Sequence, residues 1–289
     1  MQRAEKALAA GHRNFALHLL SIVHSNLSAE RYRNHPPGNS KNLSDLEKEW
    51  QKKGPELQSA AKRSNFKQIP ASVRAVAEAS LSEVKPLYDS SLEYGKSTTP
   101  EYGFFYLGSS QARLELARLL STMQTQSLLK PPVFAGLANE IDAMEDAILA
   151  EYKPPASIEH HPVFIRASGL LKQAQELYAA GMHYGALYKM LDARSQLSKI
   201  TDAGQSITVE ETKKRAAEMS ARLNQDKADH SIALIFLEFA LEQPHDGEKA
   251  HAIFKNVLPH YFSALQLPKF KKQKDSFVAT VTLVRWPYT

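Results

Sequence analysis

Between Phe164 and Ile200 the hydrophobic positions fall into two stripes separated by a single glycine. On the first, Leu170, Leu171, Ala174, Leu177 and Tyr178 recur at steps of three and four, while Lys172, Gln173, Gln175 and Glu176 take the opposite face. That period predicts an amphipathic helix with one buried side. Gly181 follows, a residue able to take positive φ and so to end a helix and turn the chain within a few residues. Beyond it Tyr184, Leu187, Tyr188, Leu191 and Leu197 resume the helical period, which predicts a second helix folded antiparallel on the first.

The same pattern occurs at the start of the chain. Ala4, Ala9, Ala10, Gly11, Ala16 and Leu17 match Ala174, Ala179, Ala180, Gly181, Ala186 and Leu187 at one constant offset. A looser echo sets Tyr102-Gly103-Phe104-Phe105-Tyr106 against Tyr184-Gly185-Ala186-Leu187-Tyr188. Recurrent hairpins of this kind are the mark of helical repeat architectures.

Leu170, Ala174, Leu177, Gly181, Ala186, Met190 and Ala193 resemble the tetratricopeptide-repeat pattern of large, small and aromatic positions across a helical pair. Met190 stands where that family has an aromatic, Gln173 where it has leucine and Ser198 where it has the closing proline. The copies do not recur at the family's period of about 34 residues. The resemblance covers two hairpins and implies a scaffold for binding rather than a reaction.

Elsewhere the pattern is again helical. Arg31 to Asn42 is a polar, Pro- and Gly-bearing stretch without period, predicting a flexible link over about 29–43. Ser44 with Glu47 reads as a capping box opening a polar helix that Gly54-Pro55 breaks. From Pro70, Val73, Val76, Ala77, Leu81, Val84 and Leu87 form a stripe, with a bend expected at Pro86 and an end at Tyr94-Gly95. Phe134, Leu137, Ile141, Met144 and Ile148 predict a helix whose outer, solvated face carries Glu140, Asp142, Glu145 and Asp146. Thr208 is placed to cap a charged helix, and Ser231 to Leu241 is apolar nearly all round, as in a buried helix. Ser276 to Trp286 alternates β-branched and aromatic residues and reads as a strand.

The expected fold is therefore all-α: antiparallel hairpins stacked as a tetratricopeptide-like array or an irregular bundle, with a short strand-like C-terminal tail. The expected organisation is an N-terminal helical region over 1–152, a second over 153–268 that starts at the proline-bearing stretch Tyr152 to His161, and a basic, extended tail over 269–289.

Composition narrows the chemistry. The chain of 289 residues has 12 glycines and no cysteine, which favours helix and excludes disulfides, thiolate nucleophiles and cysteine zinc sites. Thirty-six Lys and Arg against 31 Asp and Glu leave a charge of +5, compatible with nucleic acid or an anionic surface without requiring either. No apolar run reaches the ~20 residues that span a bilayer. Arg3, Lys6 and Arg13 before the apolar run Phe15 to Val23 outline a leader peptide, but Glu5, His18 and the match to the hairpin at Gly181 read those residues as fold.

The eleven histidines include no i, i+4 pair, so no metal site is expected. There is no phosphate-cradling glycine loop, nucleophile elbow, kinase signature or dinucleotide signature, so no catalytic or cofactor-binding residue is singled out. The leading expectation is a non-catalytic scaffold for a protein or peptide partner. Its candidate contacts are Tyr102, Tyr106, Tyr184 and Tyr188 on the echoed helices, the basic run Lys269, Lys271, Lys272 and Lys274, and Trp286 in a tail that could also pair with a second copy. The alternatives are a nucleic-acid-binding helical protein with one continuous basic face, and an enzyme or small-molecule binder, which requires a deep pocket lined by polar groups of perturbed protonation.

Overall fold

A computed structural model describes residues 1–38, 41–59, 69–123, 129–225, 227–242 and 246–265. Among these residues the protein is all-α, and the only ladder-like contact is an isolated parallel bridge between Lys130 and Ala228. The helices are α1 (Gln2–Ala9), α2 (Arg13–Asn34), α3 (Leu43–Gln58), α4 (Ala71–Ser97), α5 (Pro100–Ser121) and α6 (Leu137–Glu151). They continue with α7 (His161–Ala179), α8 (His183–Thr201), α9 (Val209–Leu223), α10 (Ser231–Glu242), α11 (Gly247–Ala252) and α12 (Leu258–Ala264), the last two joined by a π-helical turn at Ile253–Val257. No helix among the described residues is long and apolar enough to cross a membrane. The expected strand and the whole 269–289 tail lie outside the described residues.

Neighbouring helices follow the order α1, α2, α5, α4, α8, α7, α6. Across this row, α3 packs on α4 and α5, α10 on α2 and α4, and α12 on α6 and α8. A hydrophobic core runs from Leu46 to Ala264 and so through both of the expected helical regions. A smaller cluster of Ala7, Phe15 and Ala16 joins the first hairpin to Phe239 of α10.

The two glycine-hinged hairpins fold alike. Gly11 and Gly181 have φ of 83° and 74°. In the first turn the amide of His12 donates to the Ala7 carbonyl at 2.8 Å; in the second the Met182 amide donates to Leu177 at 2.9 Å. Both are helix ends closed through a left-handed residue, the role glycine fills without steric cost. The third echo differs: the chain passes from α4 to α5 through Thr98 and Thr99, with no positive-φ residue.

Several expected boundaries move, each for a packing reason. Helix α2 continues to Asn34, into the expected link, because Ala29 is buried and Tyr32 packs against Gly108 and donates its hydroxyl to Gln111 Oε1 at 2.5 Å. Helix α3 is capped by Asn42, whose side chain accepts from the Asp45 amide at 2.9 Å, rather than by Ser44.

Gly54-Pro55 does not break α3. Gly54 leaves room for the Tyr88 ring, Trp50 stacks on that ring at 4.7 Å, and Trp50 and Tyr88 each donate to the other's carbonyl at 3.0 Å. Those contacts offset the one backbone bond that Pro55 removes. Helix α4 likewise runs through Pro86 and past Gly95 to Ser97.

Glu140 is not on a solvated face: it is 5% exposed and meets His260 Nδ1 at 2.5 Å. The helical period had grouped it with Asp142, Glu145 and Asp146, but α12 covers its side of α6.

Candidate functional site

Three helices that meet near the centre start without a cap from their own preceding residue. The third residue of α2, Phe15, donates its amide to Glu238 Oε2 at 2.7 Å, and Asn14 Nδ2 donates to Glu238 Oε1 at 2.7 Å. The third residue of α8, Gly185, donates its amide to Glu78 Oε2 at 2.8 Å. The first residue of α4, Ala71, donates to Asp229 Oδ2 at 2.7 Å, and Ser72 to Ser231 Oγ at 2.8 Å. Each carboxylate meets amides that no helical carbonyl can satisfy, at the positive end of the helix dipole.

Glu78 is fully buried. Burial pushes its pKa up, while Arg74 and the amides of Gly185 and Tyr184 pull it down. Arg74 Nε donates to Glu78 Oε1 at 2.7 Å, and its guanidinium lies 4.2 Å from the centre of the Tyr184 ring. A side chain on Gly185 would bring its Cβ to 2.7 Å from Glu78 Cβ, so glycine is what admits this approach.

These starts fix α2, α4 and α8 around a cavity of about 530 Å³ that α5, α7, α10 and α11 also border. One end is aromatic: Phe15 and His18 from α2, Tyr188 from α8, Phe236 and Phe239 from α10. Phe15 lies 5.3 Å from Phe239, and His18 and Phe236 each lie 6.0 Å from Tyr188, ring centre to ring centre. The Arg3 guanidinium sits 5.3 Å over Phe15.

The other wall is polar. Tyr188, Asp192, Ser195 and Lys199 follow one another down a single face of α8 into the cavity, joined by Lys189 and Gln196. Lys189, Gln196 and Tyr188 are all buried. Polar groups taken out of water cost free energy unless they are partnered, and most here are. Tyr188 Oη lies 2.6 Å from His18 Nδ1. Glu83 Oε2 lies 2.7 Å from Arg113 Nε, and Glu83 Oε1 accepts from Lys189 Nζ. Gln196 donates to Asp192 Oδ1 at 3.3 Å and accepts from Lys199 Nζ at 2.6 Å.

Protonation is shifted along this wall. Burial, reinforced by Lys189, Arg113 and Arg3 against the opposing pull of Asp192, holds the His18 pKa below its ordinary 6.5. Burial, with Asp192 and Glu83, lifts the Tyr188 phenol well above 10.0. The pair is therefore a neutral imidazole and a neutral phenol. Burial would raise Glu83, but Lys189 and Arg113 outweigh it and keep its pKa below the usual carboxylate value. Lys199 is lowered by burial and by Arg166 and Lys249 beside it, against Asp192.

The four expected tyrosines lie in pairs one turn apart, Tyr102 and Tyr106 on α5 and Tyr184 and Tyr188 on α8. Tyr188 lines the cavity; Tyr184 packs against Phe134 and Arg74; Tyr106 stacks on Tyr94 at 4.5 Å; Tyr102 is 51% exposed. Lys269, Lys271, Lys272, Lys274 and Trp286 lie outside the described residues. His18, Glu83, Arg113, Lys189, Asp192 and Lys199 were not singled out from sequence. The available signal was the polar face of α8 at steps of four, three and four, which reads equally as solvated surface until α10 and α11 are in place.

Among the described residues no group of three or more His, Asp or Glu is arranged to hold a metal ion. Comparison with known proteins finds no family model, no curated protein and no solved structure that matches this chain.

Proposed function

We propose that this chain is a helical binding protein whose working site is the central cavity, where it holds a small molecule. The observation that carries this reading is the polar face of α8: Tyr188, Lys189, Asp192 and Gln196, with the exposed Lys199 at the mouth, border about 530 Å³ of space beside the hydrophobic core. A volume of that size, walled by aromatic side chains on one side and a few ordered polar groups on the other, has the character of a ligand pocket. Groups of shifted protonation gathered in one cleft add to that character. Stability alone supplies no reason to keep buried Lys189 and Gln196 beside open space, since apolar filling would serve it as well.

The scaffold reading keeps one observation in its favour, the matched geometry of the hairpins at Gly11 and Gly181. With α10 to α12 packed across the helical row, a partner peptide would have to use another face or the rim of the cavity. The nucleic-acid reading rests on the Lys269 to Lys274 run, outside the described residues.

Native mass spectrometry of the protein purified from its own host separates these readings. The cavity reading expects a small molecule that stays bound in the folded protein, leaves on denaturation and is absent from a Ser195→Phe variant with the cavity filled. A co-purifying protein with no small-molecule adduct favours the scaffold reading and counts against the cavity.

A further inference from the structure

We infer that the ligand of this cavity is a small anion with a flat aromatic body, its ring lodged among Phe15, Tyr188, Phe236 and Phe239 and its anionic head at Arg166 and Lys199; this rests on the cavity reading above. Five cations line the cavity, and the fold's own carboxylates neutralise only some of them. Glu83 is shared between Arg113 and Lys189, and Asp246 holds Lys249 Nζ at 2.5 Å while capping α11. Asp202 is taken by Lys255 and Asn256. Asp192 accepts from Gln196, and Glu248 lies on the exposed rim.

Arg166 and Lys199, both exposed at the mouth of the cavity, have no carboxylate partner among the described residues. Lys199 is instead oriented by Gln196, which Asp192 in turn holds, so its ammonium is aimed by a chain of two hydrogen bonds. Burial first, and then the Arg166 and Lys249 charges, lower the Lys199 pKa against the opposing pull of Asp192, so three cations face one another at this mouth. Like charges gathered at one mouth repel, and an anion seated between them relieves that repulsion while gaining charge-assisted hydrogen bonds.

The body of the ligand follows from the opposite end. Phe15, His18, Tyr188, Phe236 and Phe239 form a chain of ring contacts with centre separations of 5.3 to 6.0 Å, and Tyr188 and His18 turn a neutral pair toward the space. Offset and edge contacts with a flat ring suit such a wall better than contacts with a flexible chain, which loses more conformational freedom on binding. A cationic ligand would add to the charges of Arg166 and Lys199 instead of relieving them.

Isothermal titration with five probes tests the inference: 2-naphthoate, 2-naphthyl phosphate, 2-naphthalenemethanol, 2-naphthylmethylammonium and decanoate. The carboxylate and the phosphate are expected to bind at least about tenfold more tightly than the alcohol, with the ammonium weakest and decanoate weaker than naphthoate. The relative affinities of the first two tell a carboxylate head from a phosphate head. The double substitution Arg166→Gln and Lys199→Gln is expected to bring naphthoate down to the alcohol while leaving the alcohol unchanged. An alcohol or ammonium that binds as tightly as the acid overturns the anionic head, and decanoate equal to naphthoate overturns the flat body. If Ser195→Phe, shown to be folded by circular dichroism, binds the probes as the unmodified protein does, the cavity reading itself falls.

Discussion

Helices α3 and α9 begin on residues next to them in the chain, whereas α2, α4 and α8 begin on carboxylates brought from elsewhere. Asn42 and Thr208 accept amides three residues on, at 2.9 and 3.1 Å, in exposed positions. Glu238, Asp229 and Glu78 accept the amides of Phe15, Ala71 and Gly185 across separations of 223, 158 and 107 residues, and all three are 9% exposed or less. A local cap stabilises one helix; a remote cap also fixes where that helix sits relative to its neighbour. The three remotely capped helices all border the cavity, so its shape is tied in part to long-range hydrogen bonds.

The difference should be visible in stability. Glu78→Ala leaves the Gly185 amide buried without a partner and Arg74 without its carboxylate, and is expected to cost about 3 kcal/mol in urea denaturation. Asp229→Ala, which frees the starts of α4 and α10, belongs in the same range. Glu238→Ala should cost about 2 kcal/mol, because water reaches that end more easily. Asn42→Ala and Thr208→Ala are expected to cost about 1 kcal/mol each. Equal losses at Asn42 and Glu78 would erase the distinction between the two kinds of helix start.

The paired hairpins sharpen it. An added Cβ meets nothing within 4 Å at Gly11 or Gly181, so alanine at either position incurs only the strain of positive φ, about 1 kcal/mol in each case. Closely similar losses by thermal denaturation are the expected result; a large loss at one alone would mean that the turns are not the same device.

The smallest effect concerns pH. His18 and His251 both have folded pKa values below their ordinary 6.5, His18 for the reasons given above. His251 is held down by burial, Lys255 and Arg215 against Asp202. The unfolded chain therefore takes up these protons first. The stability they contribute is complete above 6.5 and is lost as pH falls below it. The melting temperature should decline on acidification from about pH 7.5 to about pH 5.5, and His18→Gln should flatten part of that slope. A melting temperature that rises over this interval would contradict the sign.

What the sequence made legible follows the same division. Periodicity placed the helices at Gly11 and Gly181 correctly, because a buried stripe and a positive-φ glycine are local signals. Thr208 was legible as a cap for the same reason. Glu78, Asp229 and Glu238 were not, since a carboxylate that caps a helix more than a hundred residues away looks in sequence like any charge on a helix face. Glu140 was misplaced on the outer face because the period identifies which residues share a face, not which face a later helix will cover. The cavity was hidden likewise: Tyr188 was noticed as an aromatic echo, while Asp192, Ser195 and Lys199 carried the spacing of a solvated stripe.

The most direct test of the account is a crystal structure of the protein soaked with 2-naphthoate. The account predicts the naphthyl ring between Phe15 and Phe236, with its carboxylate within hydrogen-bond distance of Lys199 Nζ and the Arg166 guanidinium. A cavity filled only by ordered water, with Arg166 and Lys199 paired to Asp192 or Glu248, would contradict it.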